Sequence, residues 1–526
     1  MAILTESSFA KYYSAIKKSP NAIFNRHLFL AACTFALAGC PKGWDEGSAA
    51  SITQLKSFQQ EYGLNSKTNA ETISNVVSFV NLGAGIGAFL SFFLNDRLGR
   101  LWTLRIYQAT YAVGSLISCL SYGNLSVLYL GRIIAGLGIG ACTVVGPMFI
   151  AEIAPKTIRG LMTLWFNIAM LSGQMIGVFV VYGCNVNISA SKVLQYQVPW
   201  FVQTFVPAIS IGLSFFVVES PRWLAIRNRP QDALLALQRL RNLPEDHPYL
   251  QKEYQDIVAQ IHDETMQFGD SGFLAVAKET FGVRSNLRRV QLTIIAYILA
   301  QFSGANSITN YLPTIFGLIG VQGANAKIYS TGLYSMAKVI CCVAASLVFV
   351  DVLGRRKSLL SGITIQMTCH AYLAGYLKVY LSRKGKISKG ASDAATAMIF
   401  VHALGWAIGL YTLPYLFGAE LWPNRIRSFG GALSQGFHWL FYFAITKATP
   451  SILQSMNQWG AFLFFVAWCI VALLYTFFFV PETSGMSLEQ MDLIFDQPFY
   501  KMRHAIPRSQ RDPEDLGDDK ENFPSR

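Results

Sequence analysis

The stretch Asp96-Arg97-Leu98-Gly99-Arg100 closes a long apolar run, and Asp351-Val352-Leu353-Gly354-Arg355 closes another one 255 residues later. Two further echoes keep nearly the same distance. EIAPKTIR at 152–159 returns as ELWPNRIR at 420–427, 268 residues on, and Glu219-Ser220-Pro221 is echoed by Glu482-Thr483, 263 residues on. Three motif pairs at about half of a 526-residue chain mark an internal duplication. Each acid and each arginine falls where an apolar run ends. Duplicated halves with a binding site at their interface are a transporter architecture.

Composition narrows the class. Hydrophobic residues make up 52% of the chain and charged residues 14%, against about 25% charged in ordinary soluble domains. Mean hydropathy is +0.35. A soluble globular chain of this length needs more surface charge, and a disordered chain needs less hydrophobicity. What remains is a multi-pass membrane protein. The net charge of +13 comes without a dense basic stripe interleaved with aromatics, so nucleic acid is not the expected partner. None of the nine cysteines forms a CxxC pair, which excludes the usual zinc spacings.

Twelve stretches are long and apolar enough to span a bilayer: 27–52, 74–94, 102–121, 127–150, 161–183, 199–218, 289–317, 328–350, 357–380, 394–419, 429–453 and 458–480. The expected fold is all-α, with twelve transmembrane helices in two pseudo-symmetric six-helix bundles. The segment 219–288 is mixed in charge, with apolar residues at helical spacing, and reads as a linker of short amphipathic helices at the membrane surface. The expected division is a tail (1–26), an N-terminal bundle (27–218), the linker (219–288), a C-terminal bundle (289–480) and a second tail (481–526), disordered at its end. Lys/Arg bias in the loops after the second, fourth, eighth and tenth spans puts those loops, the linker and both termini in the cytoplasm. The basic loop at 383–389 does not follow that rule. Two sequons, Asn124 and Asn187, fall in loops expected outside and are candidate glycosylation sites.

Seven motifs in order now resemble one family, the sugar porters of the major facilitator superfamily: DRLGR at 96–100, GRIIAGLGIG at 131–140, PMFIAEIAPKTIRG at 147–160, ESPRWL at 219–224, QFSGANSITNYLPTIF at 301–316, DVLGRR at 351–356 and PETSGMSLEQ at 481–490. The resemblance covers 25–495. Lys338 and PYLFGAELWPNRIR at 414–427 look like the fungal quinate and sugar-acid branch. It implies alternating access, carriage of a sugar or sugar acid, a plasma-membrane location and a monomer. The chain departs from the family pattern at Phe92, where the family has Gly, and at Asn310, where it has Tyr.

Candidate sites follow. Asp45, in GWDEG at 43–47, resembles the family's proton-accepting Asp, and Arg132 its partner. Burial favours a protonated carboxyl and a nearby guanidinium an ionised one, so relative motion can load and unload a proton. The alternatives are an outer-end acid in water and a structural tie, and Lys42 or Glu46 could pair with either group instead. Lys338 sits near mid-helix, where snorkelling is difficult; it reads as a partner for a substrate carboxylate or for a structural acid. Asn167, Gln174, Gln301, Asn306, Asn310, Tyr415, His438 and Trp439 form a polar set suited to a hydroxyl-rich ligand, or to polar glue between helices. A cytoplasmic gate would comprise Asp96, Arg97, Arg100, Glu152, Arg159, Glu219 and Arg222 in the first half. In the second half it would comprise Asp351, Arg355, Arg356, Glu420, Arg427 and Glu482. GLGIG at 136–140 reads as close helix packing, and His370 and His402 as core histidines.

No Walker A, HExxH or GxSxG context points to an enzyme, and no cofactor or metal is expected. The favoured function is proton-coupled import of a monosaccharide or a quinate-like acid. A non-transporting nutrient sensor on the same scaffold, a passive facilitator and an exporter are the alternatives.

Overall fold

The computed structural model describes residues 20–64, 69–155, 158–268, 273–346, 354–411, 421–423, 426–481, 495 and 497. Among these, all regular structure is helical. The first half contains α1 (Arg26–Leu37), α2 (Cys40–Ile52), α3 (Lys56–Glu61), α4 (Asn69–Leu98), α5 (Arg100–Cys119), α6 (Leu125–Ile153), α7 (Arg159–Asn187), α8 (Leu194–Val202) and α9 (Phe205–Ser214). The linker region holds α10 (Pro221–Ile226), α11 (Pro230–Arg241), α12 (Pro248–Phe268) and α13 (Phe273–Gly282). The second half contains α14 (Arg284–Phe302), α15 (Ala305–Asn310), α16 (Leu312–Leu318), α17 (Ala324–Ala344), α18 (Arg355–Ser382) and α19 (Lys389–Trp406). A π-helical turn (Ala407–Tyr411), α20 (Arg427–Ser455) and α21 (Trp459–Phe479) complete it.

Six of the described helical stretches are long and apolar enough to cross a membrane: Asn21–Ile52, Ala70–Leu98, Leu125–Ile153, Arg159–Asn187, Lys389–Tyr411 and Trp459–Phe479. Their outer faces leave large apolar side chains bare. Leu130 and Leu474 are each 54% exposed, which suits a lipid solvent and not water. The protein is thus an all-α, multi-pass membrane protein. Two of the breaks between helices have a local cause. Pro41 sits in the first turn of α2 and has no N–H to give the preceding turn, so α1 and α2 separate at Ala38 and Gly39. Gly304, at φ +85°, breaks α14 from α15 in a conformation that other residues rarely adopt.

Glycines set the helix contacts, as expected where lipid removes the hydrophobic drive between helices. Gly83 and Gly87 of α4 face Ile133 and Leu137 of α6, and Gly136 and Gly140 return the contact to Val80 and Ala84. A Cβ at any of the four would collide with backbone. The GLGIG stretch is therefore a packing surface. Gly43 and Gly47 of α2 likewise lie against Met170 and Gln174 of α7. Across the halves, α4 runs along α20 and α7 along α17.

Candidate functional site

The orientation of α2 determines the site. At about 100° per residue, Gly43 and Gly47 share one face. That face is fixed against α7 by the backbone contacts above. Lys42 and Glu46, one turn apart, then share a second face, and Asp45 points to a third.

On the third face Asp45 meets Arg132 of α6 in a two-pronged pair. Arg132 Nη2 lies 2.8 Å from Asp45 Oδ2, and Nη1 bonds Oδ1. The arginine also donates from Nε to the Val76 carbonyl at 2.7 Å and stacks 5.0 Å from the centre of the Trp200 ring. The two side chains are only 1% and 4% exposed.

The second face opens on a central cavity between the halves. It is lined by Lys42, Glu46, Ala300, Gln301, Asn306, Trp406, Leu410, Tyr411 and His438. Its volume is about 20 Å³, room for about one water molecule. Lys42 Nζ is 3.8 Å from Glu46 Oε1, and Tyr442 of α20 donates to the same oxygen at 2.8 Å. Asn310 donates to Tyr442 at 2.8 Å. Asn306 donates to Gln301 Oε1 at 2.7 Å, and Gln301 Nε2 is 3.0 Å from His438 Nδ1. The amides and phenols form a hydrogen-bonded wall around two opposite charges.

The other expected ligand-binding residues are spread more widely. Lys338 is 1% exposed. It donates to Thr309 Oγ1 at 3.3 Å and sits 3.8 Å above the Trp406 ring. Trp406 lines the cavity; Lys338 stands behind it. Trp439 donates to Thr143 of α6 at 3.2 Å, and its ring lies 5.0 Å from Lys42 Nζ. Asn167 is 3.4 Å from the Tyr411 hydroxyl, and Gln174 is buried beside the α2 glycines. Tyr415 lies outside the described residues. Sequence reasoning singled out neither Tyr411, Tyr442 nor Trp406. It left Lys42 and Glu46 as a complication, although their i,i+4 spacing is itself the signal of a pair sharing one helix face.

At one end of the helices the first-half gate residues converge. Arg100 holds Glu152 by two bonds, at 2.8 and 3.0 Å, and lies 3.7 Å from Asp96. Glu219 accepts the backbone N–H groups of Arg100 and Leu101 at 3.1 and 3.0 Å, capping α5. The Asp96 carbonyl accepts from Trp223 and Arg227, the Arg97 carbonyl accepts from Arg227, and Arg222 reaches Gln260. Arg159 opens α7 close to Arg222, Glu253 and Arg241. All these bonds lie within the first half and the linker. In the second half, Arg356 donates to the Phe477 carbonyl at 2.7 Å, Arg427 to the Trp422 carbonyl at 3.4 Å, and Arg355 opens α18. Asp351, Glu420 and Glu482 lie outside the described residues.

Among the described residues, aromatic pairs bridge the halves at this end. Phe89 stacks edge-on with Phe437 at 6.2 Å, and Phe92 with Phe429 at 5.6 Å. Phe273 of α13 touches Phe92, Phe93 and Phe429. Phe92 is the position where the family pattern has Gly. At the opposite end Lys447 bonds Asn75, Ser74 donates to the Lys447 carbonyl at 2.9 Å, and Asn185 donates to Asn325 at 2.5 Å. Contacts between the halves thus lie at both ends of the described helices. Asn124 caps α6 and Asn187 donates to Gly183 in the last turn of α7; both are exposed. His370 and His402 are fully buried, with ring centres 5.0 Å apart.

Comparison with known proteins places this geometry. The probable quinate permease of Neosartorya fischeri is 29% identical over 507 residues, covering 95% of this chain and 93% of that one. The quinate permease of Emericella nidulans is 28% identical, with 95% and 94% covered. Among solved structures, the proton:xylose symporter XylE bound to 6-bromo-6-deoxy-D-glucose superposes with a TM-score of 0.74 at 20% identity. The match covers 89% of this chain and 99% of that one. Inward-open XylE from E. coli gives 0.69, at 20% identity with 89% and 99% covered. These structures share the major facilitator fold. The sequence profile described as "Sugar (and other) transporter" matches residues 31–495, and the chain belongs to that family.

Proposed function

We propose that the protein is a proton-coupled importer of a small carboxylated polyol, of the quinate or sugar-acid class, working by alternating access. Two six-helix bundles, 27–218 and 289–480, rock about the central cavity. The linker 219–288 and both termini lie in the cytoplasm, and the carrier works as a monomer in the plasma membrane.

The observation that carries the reading is the charge of the cavity. Lys42 and Glu46 line it, and Lys338 backs its Trp406 wall. Two ammonium groups against one carboxylate leave a formal surplus of one positive charge in a membrane interior, where an isolated charge costs roughly 2.5–3.5 kcal/mol on insertion scales. That surplus draws an anionic ligand into the cavity. Gln301, Asn306 and His438 supply donors and acceptors for its hydroxyls. Likeness to fungal proteins named quinate permeases supports the same class. Asp45, paired with Arg132, is the site for the coupled proton.

The test is uptake of labelled quinate, galacturonate and glucose by cells lacking their own carriers, with and without a protonophore. Acid uptake that the protonophore abolishes, and that Lys338→Met reduces severalfold at equal surface expression, is the expected result. Glucose uptake without acid uptake overturns the carboxylate reading. Acid uptake indifferent to the protonophore overturns the coupling.

A further inference from the structure

The cation most exposed to the cavity is already occupied. Lys42 reaches Glu46 at 3.8 Å on its own helix. Glu46 is also held from the other half, by Tyr442 at 2.8 Å, which Asn310 orients. With room for about one water in the cavity, a six-carbon acid enters only as lining side chains give way. The Lys42–Glu46 contact is long for a charge-assisted bond, which is usually about 2.7–2.9 Å. It is therefore the weakest of the polar contacts in that wall.

We propose that Glu46 is an internal stand-in for the substrate's carboxylate. The incoming carboxylate takes over Lys42, and Glu46 takes up one proton and stays on Tyr442 as a neutral acid. This rests on the carboxylate reading above. The proton comes from the water phase that delivers the substrate and ends on a Glu46 carboxyl oxygen; no other bond is made or broken. The cavity groups carry one net positive charge when empty, and adding one anion and one proton leaves that charge unchanged. The titratable and charged groups facing Glu46 are Lys42 on α2, His438 and Tyr442 on α20, Tyr411 on the π-helical turn and Lys338 on α17 behind Trp406. Helices α14 and α15 add the neutral Gln301, Asn306 and Asn310. Asp45 and Arg132 face away, toward α6, so this proton is distinct from any carried by Asp45.

The experiment uses the purified full-length carrier in lipid nanodiscs, with quinate as the probe. Affinity and proton uptake are measured between pH 5.5 and 7.5 by calorimetry in two buffers of different ionisation enthalpy. The wild type is expected to lose quinate affinity as pH rises, by up to about tenfold per unit, the limit for one linked proton. It should take up close to one proton per quinate. Glu46→Gln keeps the acceptor for Tyr442 and nearly the same shape; its affinity should vary less than about twofold over the range, with proton uptake lost. Asp45→Asn should retain the pH dependence of binding. Lys42→Met should lose at least about tenfold in quinate affinity at pH 5.5. Wild-type pH dependence and proton uptake in Glu46→Gln overturn the proposal while leaving the carboxylate reading intact. So does undiminished quinate binding by Lys42→Met. Should the wild type bind inositol or glucose and no acid, the carboxylate reading falls and this proposal with it. Size-exclusion profiles matching the wild type establish that the variants fold.

Discussion

The Asp45–Arg132 pair is open to a quantitative test, because each partner is almost fully enclosed. Arg132→Met removes the cation and leaves the Asp45 carboxylate, 4% exposed, without its partner. Removing one member of a buried pair typically costs about 3–5 kcal/mol, since the other charge is left uncompensated. Asp45→Asn strands the guanidinium instead, but Arg132 keeps the Val76 carbonyl at 2.7 Å and the face of Trp200. Its cost should fall at the lower end, about 3 kcal/mol. The double variant buries no charge at either position. It loses the two bonds between the partners and the one to Val76, and should cost about 2–4 kcal/mol, with each bond net worth roughly 1 kcal/mol. The singles together predict about 6–8 kcal/mol, so the coupling energy should be about 2–6 kcal/mol. Unfolding by SDS in mixed micelles, followed by tryptophan fluorescence, measures all three. A double variant that falls within about 0.5 kcal/mol of the summed singles would refute the reasoning, because independent sites add to that precision.

Other contacts make comparable predictions. Gly140→Leu places a side chain on the Ala84 backbone, and overpacking of this kind costs about 1–3 kcal/mol; a lower apparent unfolding temperature and less monodisperse protein are expected, against little change for Gly212→Leu, which has open space. Phe92→Gly removes the aromatic pairs that Phe92 makes with Phe273 and with Phe429. At about 0.5–1.5 kcal/mol per pair, the two pairs amount to about 1–3 kcal/mol, and their loss should shift the population closed at that end by roughly five- to 150-fold, read as a longer spin-label distance between the nearby ends of α4 and α20; an unchanged distance distribution counts against an aromatic closure. Glu219→Gln retains shape but loses the charge that caps α5 beside Arg100. A loss of about 0.5–2 kcal/mol is expected by the same unfolding assay, and a stability equal to wild type would show the cap to be dispensable.

Much of this was legible in the sequence, and the limits have a physical origin. Depth in the membrane can be read from position in an apolar run, so Lys338 announces itself as a buried cation. What covers it cannot be read so. Trp406 lies 68 residues away, and its place over the ammonium follows from how α17 and α19 meet. The acids and arginines at the helix ends were readable as a network, and Arg100, Glu152, Asp96 and Glu219 do converge. Sequence did not say that the bonds of Arg100, Glu152, Asp96 and Glu219 run within the first half and the linker, because repetition in two halves looks the same whether the bonds run within a half or across. The Phe92 departure was visible as a missing glycine, but its aromatic neighbours come from α13 and α20. The cavity role of Lys42 and Glu46 needed the rotation of α2. That rotation was written in Gly43 and Gly47, yet it becomes readable only once α7 is known to be what those glycines touch.

The two charge pairs on α2 differ in what a rocking motion would do to them. Asp45 and Arg132 both belong to the first half, as does Val76, so rigid movement of the halves leaves their bonds in place. Glu46 is different. It is bonded to Lys42 within the first half and to Tyr442 in the second. A rotation that separates α2 from α20 stretches the Tyr442 contact and spares the Lys42 contact, which lies within one helix. The Trp439–Thr143 bond crosses the halves in the same neighbourhood and is strained with it. A group whose environment changes with the motion can exchange its proton in step with the motion, whereas one held wholly inside a moving body needs a second, internal rearrangement. On this ground the spacing of Lys42, Asp45 and Glu46 along one helix separates two tasks. Asp45 ties α2 to α6, and on the proposal above Glu46 reports whether the cavity holds an anion.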